Sequence, residues 1–474
     1  MMPPATHATQ IITLFLTAVF LMGDQNVFGQ SFMLGVDLSY VNEMEDCGVE
    51  YYEQGVAKDV YRIFNDHGAR MVRLRLWHTP SWYDTLNTGK RYSDIQDVEQ
   101  SIRRAKSLGM QVLLDFQLSD FWADPSRQWA PAAWAGAVNN LPVLQDSLRQ
   151  YISQILGRLA AVELLPEVIQ IGNETNRDIL QATGVNTPWQ LDWSRNAALF
   201  NTAIQAIRAS HPQIKIALHI AGPQNVEWYI DGFTSHGVQD FDIIGFSYYW
   251  PYHQPATISE TGDLIRRLRL HYPEKEVMIL ETGCIWTVQA ADQAANVLNT
   301  VDPAYAPASP ANQSKWLIDL TKTVYAAGGS GIIYWEPAWV SSPCSTPWGQ
   351  GSHYENAAFF DFNHELIEDG GIQWLEYDYT GSTGRKSERT PTVTINRRYQ
   401  LLEIQSAEKL LDPDWRYMIV GLNGRVLQSG YLREWEGDDV IRYLTLPPSG
   451  YRWTVLSIWS EHGVFRTNPY WIHP

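Results

Sequence analysis

Residues 167–174 read EVIQIGNE, a short strand-forming run rich in Val and Ile that stops abruptly at Gly172, Asn173 and Glu174. A segment that is apolar on both faces and ends in polar side chains is what a strand inside a parallel sheet looks like. The same form recurs as MLGVDLSY (33–40), MVRLRLW (71–77), QVLLDF (111–116), IKIALHI (214–220), DIIGFSYYW (242–250), EVMILET (276–282) and GIIYWEP (331–337). Between these runs, apolar residues fall at helical spacing. Val56, Val60, Ile63 and Phe64 precede Gly68, and Ile95, Val98, Ile102 and Ala105 precede Gly109. A third set is Leu144, Leu148, Ile152, Ile155 and Leu159. Eight strands alternating with helices predict an α/β fold, a (β/α)8 TIM barrel whose functional groups stand at the C-terminal ends of the strands.

The 474 residues exceed what one barrel-sized core fills, so a smaller companion is expected. Residues 380–392, TGSTGRKSERTPT, read as a linker. Beyond it, 417–432 is two β-runs around Asn423-Gly424, a hairpin signal, and 441–459 adds strand-like alternation. Together they predict a small all-β C-terminal module over 380–474, after a barrel domain over 30–379. Residues 11–22, IITLFLTAVFLM, are too short to span a bilayer but suit the apolar core of a signal peptide over 1–29, with Val27 and Gly29 small enough to flank cleavage. The expectation is a secreted or cell-surface protein whose mature chain has no transmembrane anchor. The net charge of −17 argues against nucleic acid, which needs a basic face. With 20 Trp and 24 Tyr, a neutral carbohydrate that stacks on aromatic rings is a fitting ligand, although most of these rings will serve the core.

Hydrolysis of a glycosidic bond with retention needs one carboxyl that loses and regains a proton and a second that stays ionised to attack the anomeric carbon. The ends of the fourth and seventh strands supply Glu174 and Glu281. Asn173 can hydrogen-bond the substrate's 2-hydroxyl. For either Glu alone, a salt bridge tying a loop is an equal reading; the pair in this setting favours acid/base for Glu174 and nucleophile for Glu281. Glu281 should then be held as an anion by an Arg or Tyr donor, and Glu174 should have the raised pKa. Of the three cysteines, Cys284 and Cys344 follow neighbouring strands and could bridge, with Cys47 a rival partner for Cys344.

The stretches GVDLSYV, MVRLRLWHTP, VLLDFQLSDFWADPSRQWAPAAW, IQIGNE, ALHIAG, FDIIGFSYYW, ILETG and GIIYWEPAW, followed by WGQGSHYENAAFFDFN (348–363), resemble the successive motifs of glycoside hydrolase family 53, the endo-β-1,4-galactanases, over roughly residues 33–369. The resemblance implies a retaining barrel with Glu174 as acid/base and Glu281 as nucleophile. It further implies substrate-binding roles for Arg73 or Arg75, Asp120 and Trp122, His219, Tyr248 and Trp250, and Trp335. Each has a structural alternative: either Arg could neutralise buried carboxylates, and His219 could be a satisfied core histidine. Trp335 at a barrel mouth is the natural floor for a sugar.

The implied partner is plant cell-wall galactan, the β-1,4 side chains of pectin. One departure stands out: the family's His-Tyr after the third strand's Asp-Phe is replaced by Gln117-Leu118, which puts the glycan specificity in question. No cofactor is expected; some bacterial members hold a structural calcium in the loops corresponding to 283–312 and 340–366, which here carry no dense Asp/Asn run. The run VGLNGRVLQSG…LTLPPSGYRWTVLS resembles the sorting domains of type IX secretion, implying a secretion-machinery partner. A β-sandwich accessory domain binding carbohydrate through Trp453 or Trp459 is the rival. Alternatives for the whole chain are a related β-glycanase acting on mannan or glucan, and a glycan-binding protein without catalysis.

Overall fold

The computed structural model describes residues 32–87, 89–185 and 191–379 and, beyond them, the backbone of seven strands between Val393 and Phe465. The expected signal segment and the linker at 380–392 lie outside the described residues. Eight parallel strands close a barrel: β1 (Met33–Asp37), β2 (Met71–Leu76), β3 (Gln111–Phe116), β4 (Val168–Ile171), β5 (Lys215–Ala221), β6 (Ile243–Tyr248), β7 (Glu276–Thr282) and β8 (Gly331–Tyr334). The ring closes because β1 pairs with both β2 and β8. Every strand expected from sequence is present.

Helices α1 (Val60–Asp66), α2 (Ile95–Ser107), α3 (Leu141–Ala161), α4 (Trp193–Ser210), α5 (Val226–Ser235), α6 (Ile258–His271) and α7 (Pro310–Ala326) run between the strands. Their starts are written locally. Asp94 accepts the Gln96 and Asp97 N–H groups, Thr257 and Glu260 form a reciprocal capping box, and Pro310 follows the Ser309 cap. The apolar stripe Val98, Ile102, Ala105 of α2 is buried, as are Leu144, Leu148, Ile152, Ile155 and Leu159 of α3. Val56 is a correction: it is 65% exposed and pairs with Glu53 in a two-residue ladder, because α1 begins only after the Asp59 cap. Among the described residues no helix is long and apolar enough to cross a membrane.

Inside the barrel, Met71, Leu113, Val168, Ala217, Ile243, Met278, Leu280 and Ile333 make a buried apolar plug. Side chains two residues apart on a strand face the same way. Two residues beyond the plug, four strands therefore place Arg73, Asp115, Gln170 and His219 side by side, all buried. The plug closes the bottom; the polar layer is the floor on which the site is built.

C-terminal to the barrel, β9 (Val393–Arg398), β10 (Leu401–Ser406) and β13 (Ile441–Thr445) form one antiparallel sheet. A second contains β11 (Arg416–Gly421), β12 (Val426–Tyr431), β14 (Thr454–Ser460) and β15 (Gly463–Phe465). The β11–β12 pairing is the expected hairpin; Asn423-Gly424, between the two strands in sequence, lies outside the described residues.

Candidate active site

Arg73 is the hub of the polar floor. Its Nη1 lies 2.8 Å from Asp37 Oδ2 and 2.8 Å from Glu281 Oε1, and its Nη2 lies 2.9 Å from Asp115 Oδ2 and 2.8 Å from Asn173 Oδ1. Nε donates to Gln170 Oε1 at 3.1 Å. Every guanidinium nitrogen thus has an acceptor, which is the condition under which a buried charge is tolerable. Burial nevertheless pushes the Asp115 carboxyl up to about 6, against the pull of Arg73.

Glu281, near the end of β7, receives the Arg73 ion pair on one oxygen and the Tyr249 hydroxyl on the other at 3.3 Å. Burial raises its pKa to about 7 with Arg73 the main opposing influence, so of the two carboxyls it is the one whose anion has a cation beside it. Glu174 has no such ion pair among the described residues. Burial raises its pKa, the Glu281 carboxyl raises it further, and a 2.6 Å hydrogen bond from Ser247 Oγ is the main opposing influence. Two nearby carboxyls that repel while only one has a cation divide the roles: Glu281 ionised, Glu174 carrying the proton.

The chain reaches Glu174 through a tight turn. Gly172 has φ +74° and Glu174 itself φ +46°, a left-handed conformation that costs a non-glycine residue about 1–3 kcal/mol and tends to persist at functional sites. His219 beneath it is buried and held neutral, its pKa lowered by burial and by Arg73. Because Ser247 donates to Glu174, Ser247 Oγ accepts from His219 Nε2 at 2.9 Å, which leaves Nδ1, 2.9 Å from Asn173 Oδ1, to accept from the Gln170 amide at 3.0 Å and, at the longer distance of 3.3 Å, from the Glu174 N–H. His219 therefore grips both the main chain of Glu174 and the hydroxyl that orients its carboxyl.

Above this floor opens a cavity of about 640 Å³, lined by Asn173, Glu174, Glu281 and by Trp122, Trp335, Trp339, Tyr249 and Tyr354 among others. Trp335 stands edge-on to Tyr354, with ring centroids 4.8 Å apart, and 6.0 Å from Trp122. A mostly aromatic vessel with a few fixed polar groups suits a sugar ring.

Of the residues singled out from sequence, Asn173, Glu174, Glu281, Trp122 and Trp335 line the cavity, and Arg73 and His219 lie directly beneath it. Arg75 is behind the wall, its Cζ 4.7, 4.4 and 4.1 Å from the ring centres of Tyr40, Trp77 and Trp122. Asp120 is not brought to the cavity: its oxygens accept the N–H groups of Thr79 and Ala132 at 2.8 Å each, tying two loops. Tyr248 points away from the barrel axis, stacks on Trp316 of α7 and donates to Ala256 O, because strand parity places Ser247 inward. Trp250 likewise does not line the cavity.

Sequence reading passed over Tyr249, Ser247, Trp339 and Glu336. Counting parity along 243–249 would have found the first two; Trp339 and Glu336 sit in irregular chain after β8, where parity says nothing. Gln117 is 2% exposed and outside the cavity lining; it donates to Asp115 and accepts from Trp77 Nε1 and the Ala123 N–H. Cys344 bridges to Cys47, with Cα atoms 5.7 Å apart, while Cys284 is buried and free. The loops after β7 and β8 are stitched directly, through Asn356 to Leu298 O, His353 to Ala295 O and the Ser352 N–H to Asp292. Among the described residues no three His, Cys, Asp or Glu side chains gather in a way that could hold a metal ion.

Comparison with known proteins gives a consistent picture. The family model described as glycosyl hydrolase family 53 matches residues 33–369. The chain is 45% identical over 357 residues to an arabinogalactan endo-beta-1,4-galactanase of Cellvibrio japonicus, covering 74% of this chain and 92% of that one. It is 28% identical over 393 residues to an endo-beta-1,4-galactanase of Bacillus subtilis, covering 75% and 88%. Among solved structures it is similar to the GH53 catalytic domain of Ignisphaera aggregans, with a TM-score of 0.66 and 30% identity over 74% of this chain and 98% of that one.

Proposed function

This chain belongs to glycosyl hydrolase family 53, and from that premise we propose that it is an endo-β-1,4-galactanase that cleaves the galactan side chains of pectin by double displacement, with retention. The observation that carries the mechanism is the unequal pair in one cavity: Glu281 on the Arg73 guanidinium, Glu174 without an ion pair among the described residues. Glu281 attacks the anomeric carbon while Glu174 protonates the departing oxygen; Glu174 then takes a proton from the water that releases the sugar. Asn173 is suited to hold the 2-hydroxyl, since its Oδ1 is fixed by Arg73 and one amide hydrogen by Ala123 O, leaving the other free to donate. Trp335 supplies the apolar platform. The step needs only the two carboxyls and water.

Export to the cell surface or beyond is part of this reading and rests on the apolar 11–22 segment of the sequence. A polymeric substrate suits an enzyme that meets it outside the cell. The all-β module beyond residue 392 would serve either secretion or carbohydrate binding.

The test is reducing-sugar release from galactan, mannan and glucan, followed by two variants. Glu281→Ala should lose at least about 10⁴-fold in kcat, as removal of a covalent nucleophile does, and azide should restore turnover with inverted product. Glu174→Ala should spare substrates with activated aryl leaving groups, and azide should then give retained product. The same anomer from both variants, or preference for mannan or glucan, overturns the reading.

A further inference from the structure

On the wall that carries Glu174, two side chains after β6 face the cavity and have no part in the chemistry above: Tyr252, 56% exposed, and His253, 8% exposed. Contacts tie them to both carboxyls: to Glu281 through Tyr249, whose N–H bonds His253 and whose hydroxyl bonds Glu281, and to Glu174 through Ser247 and Gly222. Ser247 bonds Glu174; the Gly222 N–H donates to Ser247 O; and Gly222 packs against His253, such that a Cβ at 222 would come within 3.1 Å of the ring's Cδ2. Ala221, joined to Asn176 by two hydrogen bonds, lines the cavity beside them. The Trp335, Trp122 and Trp339 group stands with β8 and the loops after β1 and β3.

The imidazole's hydrogen-bonding is fixed by the main chain. Nδ1 accepts the Tyr249 N–H at 2.9 Å, so in the neutral ring the proton is on Nε2. Burial lowers the His253 pKa to about 4, which keeps the ring neutral over the whole working range of a carboxyl pair. Nε2–H makes no hydrogen bond among the described residues. It is a fixed, uncharged donor in the wall of a sugar-sized cavity. Tyr252 next to it has its hydroxyl tied to Val297 O, which holds the ring between two loops with an apolar face presented.

The glycosidic oxygen must reach Glu174 to be protonated, so the departing residue extends along Glu174's wall and away from Glu281. We propose that Tyr252 and His253 form the subsite for the sugar on the leaving-group side, Tyr252 stacking on its apolar face and His253 Nε2–H donating to one of its hydroxyls. This rests on the reading of Glu174 as acid/base.

His253→Asn separates the two contacts of the ring. Asparagine Oδ1 can replace Nδ1 as acceptor for the Tyr249 N–H, while the Nε2–H donor is lost. We expect kcat/KM on β-1,4-galactan to fall about tenfold further than kcat/KM on an aryl β-galactooligosaccharide, whose leaving group has no hydroxyl to bind. The pH profile should keep its shape, since a neutral donor is removed. Tyr252→Leu, which removes a face that an aryl group also stacks on, should lower kcat/KM on both substrates, and His253→Gln, which restores a donor at the Nε2 position, should recover part of the loss.

Equal falls on both substrates would mean that His253 only supports Tyr249, and hence Glu281, and would overturn the subsite. Glu174→Ala run alongside tells that failure from a failure of the underlying reading. If Glu174→Ala spares the aryl substrate while His253→Asn shows no split, the acid/base role stands and the subsite falls. If Glu174→Ala spares neither substrate, the wall is not the leaving-group side and both fall together.

Discussion

Arg73 and Arg75 leave β2 on the same side, two residues apart, each 1% exposed, and their surroundings differ in kind. Arg73 meets oxygen: three carboxylates and two amides, with a contact on every nitrogen. Arg75 meets rings. Three aromatic faces enclose it, and among the described residues its one ion pair is to Glu336 at 3.3 Å and its Nε and Nη2 have no hydrogen-bond partner. The first arrangement sends charge to the nucleophile. The second uses the cation as a post between Tyr40, Trp77 and Trp122, each such contact being worth about 0.5–2 kcal/mol, and so steadies one wall of the cavity. One residue type on one strand thus serves electrostatics in one layer and shape in the next.

The comparison breaks most sharply at Arg73. Arg73→Met should lower kcat by about 10²–10³-fold, the usual loss when a preorganised charge beside the reacting centre is removed. The pH profile gives the cause. Arg73 lowers the pKa of Glu281, so without it that carboxyl takes up a proton at higher pH, and the acidic limb of kcat/KM should move upward. An acidic limb that stays in place would show that Arg73 does not hold the nucleophile's charge. Arg73→Lys keeps the charge but not the fork, and should fall between the two.

Arg75→Met should behave differently on both axes. It removes the post and leaves Glu336 buried without its cation, a change that costs roughly 3–5 kcal/mol when the stranded group stays charged. Glu336 already has a pKa raised by burial and by Asp37, so protonation will soften that cost. The expected result is a clear drop in melting temperature, a smaller loss of activity carried mainly by KM, and an acidic limb that does not move. Adding Glu336→Gln should restore part of the stability. A shifted acidic limb in Arg75→Met would erase the distinction between the two arginines.

How much of this could be read beforehand follows from the physics of each part. All eight strands were legible because burial on both faces leaves a dense apolar signal, and the inward row Arg73, Asp115, Gln170 and His219 follows from two-residue parity once the plug residues are recognised. Glu174 and Glu281 stood out as carboxylates at strand ends. Tyr248 is the last residue of its strand, but strand parity turns its neighbour Tyr249 inward to Glu281. Asp120 looked functional because loop-tying carboxylates and binding carboxylates have the same sequence signature; only its two backbone partners tell them apart. The partner of Cys344 depended on loop paths, which spacing does not encode. The division of labour between Arg73 and Arg75 needed the rings of Tyr40 and Trp77, brought in from other parts of the chain.

Gln117 joins the two regions, and the smallest effect is expected there. Its amide donates to Asp115 Oδ2 at 3.1 Å, on the Arg73 side, and accepts from Trp77 Nε1 at 3.3 Å, on the Arg75 side, and from the Ala123 N–H at 3.0 Å. Gln117→His would restore the residue type that the family resemblance leads one to expect. A neutral imidazole offers one donor and one acceptor, so one of the three bonds is lost, at about 0.5–1.5 kcal/mol. A change of substrate preference would require contact with the sugar, and Gln117 is not part of the cavity lining. The ratio of kcat/KM values among galactan, mannan and glucan should therefore stay within about twofold of the parent, a spread of less than 0.5 kcal/mol, while the melting temperature falls slightly. A changed ratio at unchanged stability would mean that position 117 reaches the substrate through Asp115 and Arg73, and that the two regions are coupled rather than separate.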